Sequence, residues 1–360
     1  MAGLSVAVDK EARDHCVAVV KGTYEIRRDG GAVLAEQQRP LLMVDEHHGD
    51  PGSTCVRHES DFAPFKPFTD VLVHGAAVSS RPATQVLVRL DLLGRHKEMM
   101  VTGDRRWEAA LGGLRASEPR PFTRMPISFD HAFGGTDLAH PDPRHHGCET
   151  RNPTGRGFHA SPRDSDAAGT LLPNVEDPRA LVRRWTDRPA PIGCGVVGRH
   201  WQPRAALAGT YDAQWLAKVA PFLPADFDSM YHQAAPGDQQ FPTPGGGERL
   251  HVQGMTEQGS WGVVVPRERL SIYFCFRERE VVRVPVIDTI VLDCEEQRLV
   301  VTWRTSIPLG KKLTALREVE VHGAGGRPTS SRPPRYTRGK PHFAGLAAYI
   351  AWLRGQGARR

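Results

Sequence analysis

Long apolar runs are missing from this sequence. None of its 360 residues belongs to an apolar stretch near the ~20 residues that span a bilayer as a helix. Charged residues between Asp9 and Asp14 stand where a signal peptide would need its apolar segment. The sequence therefore predicts a soluble, cytoplasmic protein with no integral membrane segment.

Cysteine is sparse, and no CxxC pair occurs. The six cysteines lie at 16, 55, 148, 194, 275 and 294, so paired zinc ligands of the zinc-finger type are not encoded. A chain of this length can bury a large core without disulfides. Free thiols in a reducing compartment are therefore expected.

Basic charge is low in the body of the chain. Residues 321–360 carry eight Lys/Arg and no Asp/Glu, so the other 320 residues carry 39 basic and 41 acidic groups. Phosphate binding needs clustered positive charge on a folded surface. We therefore expect no nucleic-acid partner.

Glycine and proline are abundant, at 36 and 29 residues, which argues against a helical bundle. Short segments rich in β-branched residues predict strands at both ends of the chain. These segments are 15–26, 70–78, 84–93, 249–255, 261–265, 270–276, 281–292 and 298–304. We expect a mainly β protein with a β-sandwich-like core, in which strands from the two chain ends share a sheet and 293–297 is a hairpin loop.

Proline recurs throughout 110–250, and each proline removes a donor from a strand ladder. This stretch is predicted to be a long, loop-rich elaboration of the core. Short helices are predicted at 178–186 and 211–219, the second with Trp215, Leu216 and Val219 in one apolar stripe.

Composition divides the chain near Val321. A single β-rich domain is predicted over 1–321, followed by a flexible basic linker at 322–341, a short amphipathic helix at 342–354 and a tail at 355–360. The helix has a narrow apolar stripe formed by Phe343, Leu346, Ile350 and Leu353. Such a short helix needs a surface, which is either a partner protein or the body of this chain.

A literal GxGxxG motif occurs at Gly193, Gly195 and Gly198. A dinucleotide site needs a strand before this motif and a helix after it. Two prolines precede the motif and Pro203 follows it, so we expect a tight loop with positive φ and no bound nucleotide. No cofactor is predicted.

Two other sets of residues have side chains suited to chemistry. The segment 137–148 contains Asp137, His140, Asp142, His145, His146 and Cys148, which are possible metal ligands, but a solvated surface loop explains them as well. Scattered acids and tryptophans leave open a carbohydrate-active enzyme or a carbohydrate-binding module. These residues are Asp130, Glu176, Asp177, Asp187, Asp212, Asp226, Asp228, Trp107, Trp185, Trp201 and Trp215.

A series of ordered strings between about 15 and 305 resembles a known bacterial family. The strings are Lys21–Glu25, Ser60–Gly75, Gly103–Trp107, Phe122–Ile127, Ala132–Gly135, Asn152–Phe158, Leu172–Pro178, Trp201–Arg204, Gly209–Trp215, Leu223–Asp228, Asp288–Ile290 and Thr302–Arg304. They resemble a domain-of-unknown-function family encoded in type VI secretion loci.

The resemblance implies a non-enzymatic role as an effector adaptor or chaperone. Such a protein binds a secreted effector in the cytoplasm, at its N-terminal or PAAR-type region, and helps to load it onto the VgrG spike. The resemblance implies no catalytic residues.

Phe62, Phe65 and Phe68 lie three residues apart in a proline-spaced loop. Exposed aromatic side chains often anchor a protein partner. These three residues are therefore candidate partner-binding residues, with burial at the end of a β-sandwich as the alternative.

Overall fold

The computed structural model describes residues 1–111, 113–160, 167–277, 279–309, 316–323, 336–337 and 340–341. The predicted linker (322–341) lies partly outside these residues, and the predicted helix (342–354) and tail (355–360) lie wholly outside them. In the described part of the chain, no helix is both long and apolar enough to cross a membrane.

Strands dominate the described residues, and the prediction of a mainly β protein is confirmed. Up to the middle of the chain they are β1 (Ala2–Val8), β2 (Asp14–Ile26), β3 (Ala32–Leu34), β4 (Glu46–His47), β5 (Val56–His58), β6 (Thr69–His74), β7 (Ala76–Ala83), β8 (Gln85–Leu92), β9 (Arg95–Thr102), β10 (Trp107–Ala110), β11 (Gly113–Ala116), β12 (Phe122–Pro126), β13 (Phe133–Gly134), β14 (Thr136–Asp137), β15 (Gly147–Cys148), β16 (Arg156–Gly157) and β17 (Val175–Glu176).

The later strands are β18 (Gln240–Phe241), β19 (Arg249–Gln253), β20 (Ser260–Val264), β21 (Ser271–Phe276), β22 (Glu280–Arg283), β23 (Val286–Asp293), β24 (Arg298–Pro308), β25 (Leu316–His322), β26 (Tyr336–Thr337) and β27 (Lys340–Pro341). Helix α1 spans Ala213–Lys218. Short 3-10 helices span Phe129–His131, Pro143–His145, Arg204–Ala208, Ser229–His232 and Gly237–Gln239.

The chain forms two compact units. The first comprises 1–267 and 286–308, and the second comprises 268–285 and 309–360. In the second unit, β22, β21 and β25 form an antiparallel three-stranded sheet. The single domain over 1–321 stays a prediction.

Strands from the two ends of the sequence pair in the first unit, as predicted. The largest sheet has the order β1-β2-β24-β23-β6-β18, with β3 also on β2. β2 and β24 pair antiparallel over eleven residues, and β23 pairs parallel with β6. The predicted hairpin at 293–297 joins β23 to β24.

The two faces of this sheet differ in polarity. Val71, Val73, Ile290, Leu292 and Val301 form a fully buried apolar face. Residues that are direct neighbours across strands share a face. The opposite face therefore contains one polar row, in register across four strands, formed by Lys21, Thr302, Thr289 and Asp70.

A second sheet of the same unit has the order β17-β9-β8-β19-β20. In β8, Val88, Leu90 and Leu92 are fully buried, whereas Arg89 is exposed. One face of β8 is therefore buried in the core, and the other is partly exposed.

The stretch 110–250 has only short strands, as its prolines predict. Side chains hold its loops by bonding to the backbone. The Asn152 amide donates to the carbonyls of Phe129 and Phe133, at 2.8 and 3.0 Å, and the Asn174 amide donates to the carbonyl of Thr102. Such bonds satisfy buried carbonyls where no strand ladder is available.

Some expectations for local structure are wrong, and one of them is the single strand at 70–78, which Gly75 divides between β6 and β7. No helix forms at 178–186, because the carboxylates of Glu176 and Asp187 accept the N–H groups of Val182, Arg183 and Arg184, which a helix would use. The segment 281–292 is not one strand, since the chain leaves the ladder at Val284 and Pro285. In α1, Leu216 is exposed and does not share a buried stripe with Trp215.

Candidate functional site

The outer strand β1 presents a free edge on the seven-stranded sheet. In the described part of the chain it pairs only with β2. Met1 and Lys21 exchange both backbone hydrogen bonds, at 2.7 and 2.8 Å, which fixes the phase of the ladder. Because bonded pairs alternate in an antiparallel ladder, Gly3, Ser5 and Ala7 bond towards β2.

The other residues of β1 direct their backbone groups away from β2. Leu4, Val6 and Val8 therefore have N–H and C=O groups on the open side of the strand. Their side chains are also exposed, by 50%, 54% and 38%. Ala2–Val8 contains no charge and no proline, which are the usual devices that block strand addition at an edge.

An apolar groove of about 280 Å³ lies at the Val8 end of this edge. Its apolar lining consists of Ala7, Val8, Pro64, Phe65, Leu223 and Phe227. Its polar rim consists of Asp9, Lys10, Glu11, His15, Ser229, His232 and Ser306. We call the free edge of β1 together with these lining residues the edge groove.

The segment 60–68 is firmly held, and it places Phe65 in the groove. The Asp61 carboxylate accepts hydrogen bonds from Lys21 Nζ at 2.6 Å and from the Leu42 N–H at 2.7 Å. Lys66 Nζ donates to Asp70 and Thr289. The Phe65 side chain, 56% exposed, thus projects from a loop that is fixed on both sides.

The other two phenylalanines of this segment have different surroundings. Phe62 is half-buried over β1, where an added Cβ at Gly3 would lie 3.3 Å from its ring. Phe68 is 39% exposed and does not line the groove. A partner-binding role for Phe62, Phe65 and Phe68 stays a prediction. Phe343, Leu346, Ile350 and Leu353 lie outside the described residues.

A charged cavity of about 300 Å³ lies on the polar face of the same sheet. Its basic residues have acidic partners: Lys21 bonds Asp61, Lys66 bonds Asp70, and Arg304 bonds Asp288. Arg39 and Arg57 both contact Asp293, at 3.1 and 3.5 Å. These charges compensate one another within the fold, and the cavity is best explained as structural.

Neighbouring histidines are kept neutral by burial. His58 and His74 have ring centroids 4.7 Å apart. Burial, reinforced by nearby Arg39 and Arg57, lowers the pKa of His58 to about 3. Burial likewise lowers the pKa of His74 well below its usual value. In the described part of the chain, no group of three or more His, Cys, Asp or Glu residues is arranged to hold a metal ion.

The GxGxxG segment is a loop, but the expectation of positive φ is wrong. None of Gly193, Gly195 and Gly198 has positive φ. Two of them are required by close packing. A Cβ at Gly193 would lie 2.9 Å from the Phe129 ring, and one at Gly198 would lie 2.7 Å from the Trp201 indole. A 3-10 helix at Arg204–Ala208, not an α-helix, follows.

The candidate ligands at 137–148 have partners within the loop. Asp142 bonds Arg144, His146 Nε2 contacts the His140 carbonyl at 2.7 Å, and the His140 and His145 rings pack edge to face. These contacts agree with a surface loop.

The acids considered for a hydrolase also have hydrogen-bond partners within the fold. Asp212 and Asp228 cap short helices, and Asp226 accepts bonds from Thr210. Buried Glu176 pairs with Arg105. Asp130 accepts the Cys55 N–H at 2.7 Å. Each of these carboxylates thus has a structural role, within its own turn for Asp212 and Asp228 and between separate chain segments for Glu176 and Asp130.

Sequence reasoning missed β1, although a signal was present. Leu4, Val6 and Val8 alternate with Gly3, Ser5 and Ala7, which is a strand period. Gly3, Ser5 and Ala7 are small, whereas alternating polar residues usually identify the second face of a half-buried strand.

Comparison with known proteins gives one match. Residues 11–304 match the model of a family described as "Uncharacterized protein conserved in bacteria (DUF2169)". No curated protein and no solved structure matches the chain.

Proposed function

The chain belongs to this uncharacterized family conserved in bacteria, and on that premise we propose that it is an adaptor that binds a second protein through the edge groove. The observation that carries the proposal is the uncharged edge of β1, which is unpaired among the described residues, beside an apolar groove. Apolar surface of this kind, rimmed by polar residues, is typical of protein interaction sites.

The remaining polar groups of this unit support binding rather than chemistry. Lys21, Lys66 and Arg304 are buried against carboxylates on the polar face of the sheet. Catalytic groups are usually held ready for a substrate, whereas these side chains bond one another and the loop above them.

For the identity of the partner, the support is the resemblance of the ordered strings between 15 and 305. We propose that the partner is a secreted effector of a type VI secretion system. In this proposal the chain holds the N-terminal or PAAR-type region of the effector in the cytoplasm and helps to load it onto the VgrG spike.

Co-purification from the native host tests the adaptor function. The full chain, tagged at its C-terminus, is recovered from cells that express its neighbouring genes, and bound polypeptides are quantified by mass spectrometry. We expect an effector or spike protein to be enriched over an untagged control. The absence of any enriched polypeptide would contradict the adaptor proposal.

The Phe65→Ala variant is expected to lose partner binding without losing stability. Phe65 is mostly exposed in the free chain, whereas a side chain buried at the centre of an interface contributes about 2 kcal/mol or more to affinity. We therefore expect the bound partner to fall at least tenfold, with the melting temperature within about 2 °C of the wild type.

Leu111→Ala is the matched control, because Leu111 is fully exposed and lies outside the edge groove. It should retain the partner at the wild-type level. Equal recovery with Phe65→Ala and the wild type would show that the groove is not the binding site.

A further inference from the structure

The backbone of β1 specifies what kind of segment fits the edge groove. Leu4, Val6 and Val8 have two features in common. Their side chains are exposed, and their N–H and C=O groups are directed to the open side of the strand. We propose that an extended segment of the partner adds to β1 as a further strand. This inference rests on the proposed function and concerns how the adaptor recognises its partner.

An added strand satisfies both features at once. A helix or a compact surface placed over Leu4 and Val6 would cover the neighbouring backbone groups without giving them partners. Leaving a buried N–H or C=O unpaired costs about 1–3 kcal/mol. A strand bonds these groups and places alternate side chains beside the exposed ones, which is the β-augmentation mode of peptide recognition.

The two faces of β1 determine which side chains suit the added strand of the partner. On one face, apolar residues at alternate positions of the partner strand would lie beside Leu4, Val6 and Val8. On the other face β1 has only Gly3, Ser5 and Ala7, with the Phe62 ring over Gly3. Small or polar residues suit the positions between the apolar ones.

The groove extends the site at the Val8 end of β1, on the face that has Gly3, Ser5 and Ala7. At about 280 Å³ it is near the lower end of the range for ligand pockets, so it suits one or two side chains. Phe65, Leu223 and Phe227 make its lining apolar. The partner segment should therefore continue beyond Val8 and bring a large apolar residue to the groove.

A second copy of this chain fits the site less well. Two β1 strands paired antiparallel about Ser5 would bring Ala2 of the copy beside Val8. On the face where Ala7, His15 and Ser306 line the groove, the residue of the copy beside Ala7 would be Gly3, which has no side chain to fill it. The charged turn from Asp9 to Arg13 of the copy would lie at the opposite end of the strand. We therefore take the occupant to be a segment of a different protein rather than a second copy of this chain.

The Val6→Pro variant is expected to block strand addition at the edge of β1 without destabilising the fold. The Val6 N–H is on the open side of β1, so proline removes a donor that β2 does not use, and proline is tolerated at such edge positions. Ser5→Ala is the control, because it changes a side chain on the other face and leaves every backbone group in place. Both variants should melt within about 2 °C of the wild type.

The probes are two ten-residue synthetic peptides of equal composition, each with one terminal phenylalanine. In one, valine and threonine alternate; in the other, the valines and threonines form separate blocks. Fluorescence anisotropy on the full chain should show at least tenfold tighter binding of the alternating peptide. Val6→Pro should weaken this binding at least tenfold, and Ser5→Ala by less than twofold.

Three results would overturn the proposal. One is a wild-type chain that binds the two peptides equally or binds neither; another is a Val6→Pro variant that binds as the wild type does. The third is a dimer in sedimentation velocity that Val6→Pro dissociates, which would assign the edge to a second copy. Enrichment of an effector by co-purification would keep the adaptor function in each case, so the two proposals fail separately.

Discussion

Replacing Asp70 with alanine is expected to lower the free energy of unfolding by about 3–5 kcal/mol. The Asp70 carboxylate is completely buried. It accepts hydrogen bonds from Lys66 Nζ at 2.7 Å, from the Gln233 amide at 2.8 Å, and from the backbone N–H groups of Ala234 and Ala235 at 2.8 and 3.1 Å. Alanine would leave the Lys66 charge buried without its counter-ion. Urea unfolding measures the loss.

Two further variants give this experiment its controls. Glu98→Ala removes an exposed ion pair with Arg89 and should cost less than about 1 kcal/mol. Adding Lys66→Met to Asp70→Ala removes the unpaired charge and should restore about 1–2 kcal/mol. A cost below about 1 kcal/mol for Asp70→Ala would contradict the structural role given to the polar face of the sheet.

Acid is expected to destabilise the protein well above the pH at which most carboxylates titrate. Burial lowers the pKa of His131 and of His232 to about 4, and that of His58 to about 3. The unfolded chain binds these protons near pH 6.5, whereas the folded chain excludes them, so stability falls as pH decreases from about 6.5 towards 4. The three histidines together should lower the free energy of unfolding by about 3–4 kcal/mol between pH 6 and pH 5.

Urea unfolding at pH 6 and pH 5 measures this fall. His232→Gln should make it smaller by about 1 kcal/mol, because one of the three protons is then no longer bound on unfolding. Leu111→Ala, which removes no ionisable group and alters a fully exposed side chain, should leave the fall unchanged. An equal fall in the wild type and in His232→Gln would contradict the buried, neutral state of His232.

The pairing of the two chain ends could be predicted because the residue types of its strands favour β structure. Val17, Val19, Val300 and Val301 are β-branched residues in segments bounded by turns, and β2 and β24 form there. β-Branched side chains suit a pleated, buried surface. These strands can therefore be recognised from the sequence without any knowledge of the tertiary contacts.

Local bonds at loops could not be predicted in the same way. At 178–186, carboxylates of Glu176 and Asp187 accept N–H groups that a helix would use, and these contacts depend on the path of the chain. The polar row of Lys21, Thr302, Thr289 and Asp70 likewise appears only when the strand register is known. That register cannot be derived from the spacing of residues in the sequence.

The candidate site was only half visible in the sequence. Phe65 was recognisable as an aromatic residue in a proline-spaced loop, and the fold places it in the groove. The edge at Leu4, Val6 and Val8 was not recognisable, since which strand ends a sheet depends on the pairing of all the others. The direction of its free N–H groups follows from the phase set at Met1 and Lys21.

Amide hydrogen exchange on the isolated complex shows whether the partner binds along the edge of β1. Exchange is followed residue by residue in the free chain and in the chain bound to the partner recovered from the native host. We expect at least tenfold slower exchange of the Leu4, Val6 and Val8 amides on binding, with little change at Gly3 and Ser5, whose N–H groups already bond to β2. Unchanged exchange at Leu4 and Val6 in a fully bound chain would contradict partner binding through the edge of β1.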